Sequence, residues 1–255
     1  MKIVVCIKHV PDLQSERRLE DGRLVRGEED VLNELDENAV EAAVSLAEEH
    51  DGEVVALTMG PQDAEDGVRR ALQMGAERGV VVSDEYLAGA DVVTTARTLA
   101  AAIERIGGVD LVITGMASLD ALTSMLPGAL AAALGVPALT LAHEVALEED
   151  PASVAITRTV GTARERLRAP LPALVSVTDQ ANEPRYPNFA AMRAAKKKPV
   201  EVWDLGDLGI ASQAREVLAV SRTSQRPARQ AGIIRTDAGQ GGRELAAWLV
   251  DNSLV

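Results

Sequence analysis

Strand-like runs at 2–7, 53–58, 78–82 and 111–114 alternate with stretches of helical apolar spacing, and this alternation leaves few folds open to the chain. Lys2–Ile7 is a continuous β-branched run, which in an α/β protein reads as a central parallel strand buried on both faces. From Glu37 to His50, Ala39, Val40, Ala43, Val44 and Ala47 recur at helical spacing, and Asp51-Gly52 closes the helix. A second helix spans Pro61–Met74, with Pro61 where a missing N–H costs little, and a third spans Asp91–Ile106 before Gly107-Gly108. Such units predict a parallel sheet with right-handed crossovers. Aromatics make up only 2% of the residues, so the core must be Ala, Val and Leu, which suits helices packed closely on a sheet. The N-terminal half is α/β and Rossmann-like.

Between the first strand and the first helix, Ser15 to Asp30 is charged and carries Gly22 and Gly27, which predicts a surface excursion with a short hairpin. After Pro137 the pattern changes. His143–Leu147, Val154–Thr159 and Arg164–Leu167 are short strand-like runs separated by Glu148-Glu149-Asp150-Pro151 and Gly161-Thr162, predicting an antiparallel meander at the sheet edge. Leu174–Thr178 reads as a last buried strand and Val200–Trp203 as a short one. A polar arm runs from Arg215 to Gly242, and Leu245, Trp248 and Leu249 share one face of a final helix, expected to pack on a partner. The expected organisation is an α/β nucleotide-binding domain over 1–181, a partner-recognition loop and helix over 182–199, and a C-terminal arm over 200–255.

A net charge of −13 argues against nucleic acid, whose phosphates demand clustered cations. Cys6 is the single cysteine, so no intramolecular disulfide forms and a reducing, cytoplasmic setting is expected. The apolar run before Lys8 is too short for a secretory segment, and the stretch from Gly128 to Ala142 is broken by Gly135, Pro137 and Thr140, so no membrane span is expected. No Gly-Lys dipeptide, His-Glu-x-x-His, Cys-x-x-Cys or Gly-x-Ser-x-Gly occurs, so no catalytic residue stands out. His9, His50 and His143 have no clustered neighbours in the sequence and read as structural rather than as metal ligands.

Two stretches carry chemistry. Gly115-Met116-Ala117-Ser118-Leu119-Asp120 leaves the fourth strand, and Thr123-Ser124 can open the helix that follows. Ligands of open α/β sheets sit at the carboxyl ends of strands, where free N–H groups at a helix start favour a phosphate. Cys6, Asn33 to Asp36 (Asn33, Glu34, Leu35, Asp36) and Met59 would line the same edge. The alternative is an ordinary strand-to-helix turn with a Thr or Ser cap. The second stretch, Asn182 to Pro199, holds five cations and no anion between Glu183 and Glu201. It also holds the chain's only phenylalanine, Phe189. An apolar tip on a basic collar reads as a docking element; the alternative is a helix end whose lysines offset the dipole.

Asn182-Glu183-Pro184-Arg185-Tyr186, the residues onward into Lys196-Lys197-Lys198, and Leu171-Pro172-Ala173 resemble the signature of the electron transfer flavoprotein β subunit (ETF/FixA) family. Ile7-Lys8-His9-Val10-Pro11-Asp12, Ala39-Val40-Glu41-Ala42-Ala43, Gly60-Pro61, Arg70 to Ala76 and Asp207-Leu208-Gly209 extend the resemblance over most of the chain. It implies an adenine nucleotide α-hydrolase-like fold and a non-catalytic subunit of a heterodimer, whose α subunit holds most of an FAD. It also implies electrons received from flavin dehydrogenases such as acyl-CoA dehydrogenases and passed to a quinone oxidoreductase, as in fatty acid oxidation. It places a bound AMP at Cys6, Asn33 to Asp36, Met59 and Gly115 to Leu126, including Thr123, Ser124 and Met125. Asn182 to Arg185 then lead into a recognition loop with Phe189 at its tip, and Tyr186, Met192 and Lys196 to Lys198 belong to the same partner surface.

The chain departs from the family pattern in the loop after Asp120, at Leu13 and Leu35, and at Thr159. Asp120 is followed by Ala121-Leu122-Thr123-Ser124-Met125-Leu126 where further Asp, Gln and Thr or Gly residues are usual. The resemblance puts Leu13 and Leu35 at the two flavin-flanking positions where aromatics often stand. Thr159 replaces an acidic residue after Arg158 that would pair with the α subunit. The alternatives are an electron-bifurcating version with a second FAD in place of AMP, and a nucleotide-binding stress or signalling module or nucleotide hydrolase of related fold.

Overall fold

A computed structural model describes residues 1–15, 18–20, 22–149, 152–211, 220–224, 227, 229, 231, 232, 234 and 236–255. They fall into two compact units, Met1–Ser221 and Arg222–Val255. The first unit runs β1 (Lys2–Cys6), β2 (His9–Pro11), β3 (Leu19–Glu20), β4 (Arg23–Leu24), β5 (Asp30–Leu32), α1 (Glu34–Glu49) and β6 (Glu53–Met59). A 3-10 turn, Gln62–Ala64, leads into α2 (Glu65–Met74), followed by β7 (Arg78–Val82), α3 (Val92–Ile106), β8 (Leu111–Gly115), α4 (Leu126–Leu134) and β9 (Ala138–Ala142). Then come β10 (Glu144–Glu149), β11 (Ala152–Val160), β12 (Ala163–Pro170), β13 (Ala173–Val177), α5 (Phe189–Ala195) and β14 (Val200–Trp203).

Seven strands form one parallel sheet in the order β14-β7-β6-β1-β8-β13-β9. From β1 the chain winds outward through β6 to β7, then returns to start the other half at β8. The reversal leaves a crevice between the carboxyl ends of β1 and β8, where Cys6 pairs with Thr114. Ile3, Val4, Val5, Leu57 and Ile113 have no measurable exposure, because α1 and α2 cover one face of the sheet and α3 and α4 the other. Small residues make this close approach possible: Ala39 and Ala43 of α1 are fully buried, and a Cβ on Gly79 of β7 would stand 2.1 Å from Val68 Cγ1 of α2. The Asp91 carboxylate caps α3 by accepting from Thr94 N at 2.8 Å.

The structure departs from the sequence reading at several points. α1 starts at Glu34 rather than Glu37, since Glu34 and Asp36 suit the positive end of the helix dipole although its first turn lacks the apolar spacing. β9 was not expected; it lies at the sheet edge with irregular burial, and Leu141 has φ +63°. β13 is therefore an interior strand, between β8 and β9. The meander β10-β11-β12 is a separate antiparallel sheet, in which Arg158 pairs across the ladder with Glu165 at 2.8 Å. β14 joins the main sheet beside β7, and the first compact unit runs to Ser221.

The expected hairpin in the excursion is β3–β4, with residues 16, 17 and 21 outside the described residues. Asp150 and Pro151, and 215–219, 225, 226, 228, 230, 233 and 235 of the expected arm, also lie outside them. The second unit carries α6 (Gly241–Asp251), where Leu245 and Trp248 are exposed. Among the described residues, no helix is long and apolar enough to cross a membrane.

Candidate functional site

The crevice at the β1/β8 reversal is built by the start of α1 and the loop after β8. Asn33, fully buried, fastens the two together: its Nδ2 donates to Ala117 O at 2.9 Å and its Oδ1 accepts from Leu119 N at 3.0 Å. Asp36, one turn into α1, accepts from Lys8 N at 2.8 Å. Gly115 is required here, since a Cβ would fall 2.3 Å from Asp36 Oδ1 and 2.7 Å from Leu35 O. Burial dominates at Asp36, pushing its carboxyl up to about 7 against the lowering effect of hydrogen bonds from Asn33 and Lys8 N. Cys6 lies alongside; burial, and secondarily the Asp36 charge, raise its thiol to about 12, which keeps it protonated and unreactive.

Asp120 has the opposite balance. Burial pushes it up, but the Lys8 charge and hydrogen bonds from Lys8, Ser118 and Arg26 outweigh that and hold it at about 2. Lys8 Nζ lies 2.9 Å from Asp120, and Arg26, reaching in from the excursion, binds the same carboxylate. The Asp120 charge is thus used internally to fasten the excursion to the loop after β8.

Beyond it, residues 121–125 are exposed, and Leu122 and Ser124 both have φ +52°. α4 begins at Leu126 with Met125 in the N-cap position, and no side chain caps it. The expected opening by Thr123-Ser124 is therefore corrected, and the capped-turn alternative loses its cap. Leu122 N donates back to Ser118 O at 2.7 Å and Pro127 brings no N–H, so the donors that suit an anion are the remaining backbone N–H groups of the uncapped first turn of α4. Thr114 Oγ1, at the end of β8, is buried without a hydrogen-bond partner and faces the same side of the sheet as Cys6. These features fit a nucleotide phosphate and its polar neighbours.

The sequence-predicted residues divide accordingly. Asn33, Asp36, Gly115, Ala117, Ser118, Leu119 and Asp120 are brought together, with Met116 beside them in the loop and Leu35 contributing its carbonyl next to Gly115. Cys6 belongs to the crevice by position, but its side chain is buried in the core layer shared with α3 and α4. Met59 and Leu126 are partly buried against that layer, and Glu34 is exposed. Leu13, 46% exposed, lies just after β2. Lys8 and Arg26 were missed as site residues, because nothing in the sequence singles them out: Arg26 is one of four arginines between Ser15 and Asp30, and Lys8 follows the first strand.

The second candidate surface is the segment 182–198, fastened to the outer face of α1. Asn182 and Asn38 exchange hydrogen bonds, Asn182 Nδ2 to Asn38 O at 3.0 Å and Asn38 Nδ2 to Asn182 O at 3.0 Å. Arg185 donates to Glu41 Oε2 at 2.8 Å and Oε1 at 3.0 Å, and to Glu48 at 2.7 and 3.0 Å. Hydrogen bonds from Glu48 and then Glu41 raise Arg185 above its ordinary value, while Arg185 lowers Glu48. Burial pushes Glu41 up, but its bonds to Arg185 more than offset that. Asn38, Glu41, Ser45 and Glu48 follow helical spacing along α1, a polar row that sequence reading could have recognised as a seat.

Past this anchor the Arg70 guanidinium lies over the Tyr186 ring at 5.5 Å, and Pro187 is buried. Asn188 caps α5 by accepting from Ala191 N at 2.9 Å. Phe189 is thus the first residue of a helix rather than a loop tip, and it is 82% exposed. Phe189, Arg193 and Lys197 border one shallow concavity. Met192 is half-buried, and Glu183, Lys196 and Lys197 are exposed. Lys198 differs from the expectation: its Nζ donates to Leu72 O, Gly75 O and Ala76 O at 3.1, 3.3 and 2.6 Å, capping the carbonyl end of α2. The basic collar facing outward is Arg193, Lys196 and Lys197.

Known proteins resemble the chain over most of its length. The electron transfer flavoprotein domain family matches residues 21–208. The chain is similar to the "Electron transfer flavoprotein subunit beta" of Mycobacterium tuberculosis, 38% identical with 99% of each chain covered. It is 33% identical to the "Caffeyl-CoA reductase-Etf complex subunit CarD" of Acetobacterium woodii over 98% of this chain and 97% of that one. It is 37% identical to "Protein FixA" of Rhizobium meliloti over 84% of this chain and 76% of the relative.

Proposed function

The chain belongs to the electron transfer flavoprotein β subunit/FixA family, and on that premise we propose that it is the β half of a heterodimeric electron carrier rather than an enzyme in its own right. The α partner holds most of an FAD, which when bound supplies the electron storage. Leu13 and Leu35 form the wall this chain offers toward it. The crevice between β1 and β8 takes AMP, with its phosphate at the uncapped start of α4 and Asn33 holding the surrounding loop in shape. The C-terminal residues pack on the α partner. Electrons arrive from flavin dehydrogenases such as acyl-CoA dehydrogenases and leave to a quinone oxidoreductase.

The observation that carries this reading is Phe189. A large apolar side chain 82% exposed, on a segment locked to α1 through Arg185 and flanked by three outward cations, is a poor structural element and a good anchor for a short-lived partner contact. Co-production with the α partner, a visible spectrum and chromatography of an acid extract test it. The expected result is a yellow heterodimer releasing FAD and AMP in equal amounts. A chain that purifies without a partner and without flavin overturns the reading, whereas two FAD and no AMP assigns the crevice to a second flavin.

A further inference from the structure

Three segments distant in sequence meet beside the excursion: β2, β5 and the 3-10 turn before α2. β2 and β5 pair antiparallel with Pro11 opposite Asp30, so His9, two residues from Pro11, is a diagonal neighbour of Asp30 on the same face of the ribbon. The turn Gln62–Ala64 adds Asp63 from the α2 side. His9, read from sequence as unclustered, therefore has two carboxylates beside it.

The arrangement is not explained by hydrogen bonding. His9 is 9% exposed and its Nδ1 has no hydrogen-bond partner among the described residues. Asp30 Oδ2 lies 4.0 Å from that nitrogen, and the Asp30 side chain is 4% exposed. Asp63 Oδ1 is likewise buried and unpartnered. Orphaned buried polar atoms are rare because each forfeits its hydration without compensation. One ligand atom from each of the three residues lies within 4.8 Å of the other two. The 4.0 Å between His9 Nδ1 and Asp30 Oδ2 is too wide for a direct hydrogen bond, but two ligands each about 2.1 Å from a common ion stand roughly 3 to 4 Å apart.

We infer that His9, Asp30 and Asp63 hold a divalent transition-metal ion of the zinc type. Two carboxylates balance the charge, the imidazole selects against magnesium and calcium, and three protein ligands leave a position for water. The ion's place in the fold makes it a clamp: it joins both ends of the excursion to the turn that starts α2. Arg26 lies within that excursion, donating to His9 O at 3.0 Å and binding Asp120, so the clamp also steadies the loop after β8. This assignment does not depend on the electron-transfer reading.

The full-length chain, stripped with a chelator and titrated with zinc by calorimetry, tests it. The parent is expected to bind one zinc per chain and to unfold at a higher temperature when loaded. His9→Gln should abolish the binding, Asp63→Asn should weaken it by about tenfold or more, and His50→Gln should leave it unchanged. No zinc uptake by the parent, or equal uptake by His9→Gln, overturns the assignment. Should His9→Gln lack a native circular dichroism spectrum, the half-buried Asp63 decides alone, and unchanged affinity in Asp63→Asn overturns it equally.

Discussion

Replacing Asp36 with Asn should make the stability of the protein less dependent on pH, and the size of the effect follows from the environment of the carboxyl. Asp36 is 6% exposed and its carboxyl is raised from 3.8 to about 7, chiefly by burial. A carboxyl raised on folding binds its proton more tightly in the native state, so it contributes stability below its unfolded value that is lost as pH rises through its folded value. Between pH 5 and pH 8 the linkage relation gives a loss of roughly 2 to 3 kcal/mol for this one group. At pH 5 native Asp36 is protonated and nearly the shape of Asn, so the variant should match the parent within about 1 kcal/mol, the cost of one misdirected amide hydrogen. At pH 8 the variant should have gained roughly 2 to 3 kcal/mol relative to the parent. Urea unfolding followed by far-ultraviolet circular dichroism at half-unit pH steps measures this. Comparing parent with variant cancels other titrating groups, including Asp120, which at about 2 titrates outside this window. A parent-to-variant difference that stays constant from pH 5 to pH 8 would refute the account of Asp36 as a carboxyl strained by burial.

Arg185→Met removes the bonds that fasten the segment to Glu41 and Glu48, and should cost about 2 kcal/mol of local docking, some thirtyfold in opening, read as faster amide exchange confined to 182–199; unchanged exchange would show that Asn182 and Pro187 suffice. Gly115→Ala drives a methyl against Leu35 O, a backbone atom that cannot swing aside, and should lower stability by about 1 to 3 kcal/mol in urea unfolding. Phe189→Ala should leave stability within about 0.5 kcal/mol, because the ring is already exposed. In the flavin-loaded heterodimer the same change should slow reduction by an acyl-CoA dehydrogenase, and unchanged kinetics would remove the anchoring role.

The parallel sheet was legible because Lys2–Ile7 and its companions are short aliphatic runs with helical spacing between them, and burial on both faces leaves such runs without polar interruptions. β9 was not, because at the edge of the sheet its burial is irregular and its five residues continue an apolar stretch that also contains α4. At the site, Asn33, Asp36 and Gly115 could be placed by their position at strand and helix ends. What Asp120 does could not, since Lys8 and Arg26 reach it over 112 and 94 residues. The same limit hid the grouping of His9, Asp30 and Asp63. Lys198 shows the converse: within a run of three identical side chains, only the direction of the chain after α5 decides which one turns back to cap α2 and which two face solvent.

α1 connects the two candidate surfaces. Its first turn and the preceding residue carry Asn33, Leu35 and Asp36, which shape the crevice, while its outer row of Asn38, Glu41 and Glu48 seats the segment that displays Phe189. Its inner row, Ala39, Val40, Ala43 and Ala47, is almost fully buried on the sheet and offers little freedom to slide. A helix packed this closely moves as a rigid body or not at all, because core contacts are lost steeply over fractions of an ångström. A side chain near the crevice and helix α5 are therefore held at a fixed distance, which serves the proposed carrier role, in which a docking point keeps one spacing from a cofactor. The segment itself, fastened by polar bonds at an exposed surface, is the softer of the two attachments. Under the proposed carrier role, adaptation to different electron donors is accordingly expected at Arg185 and beyond, with the crevice unchanged.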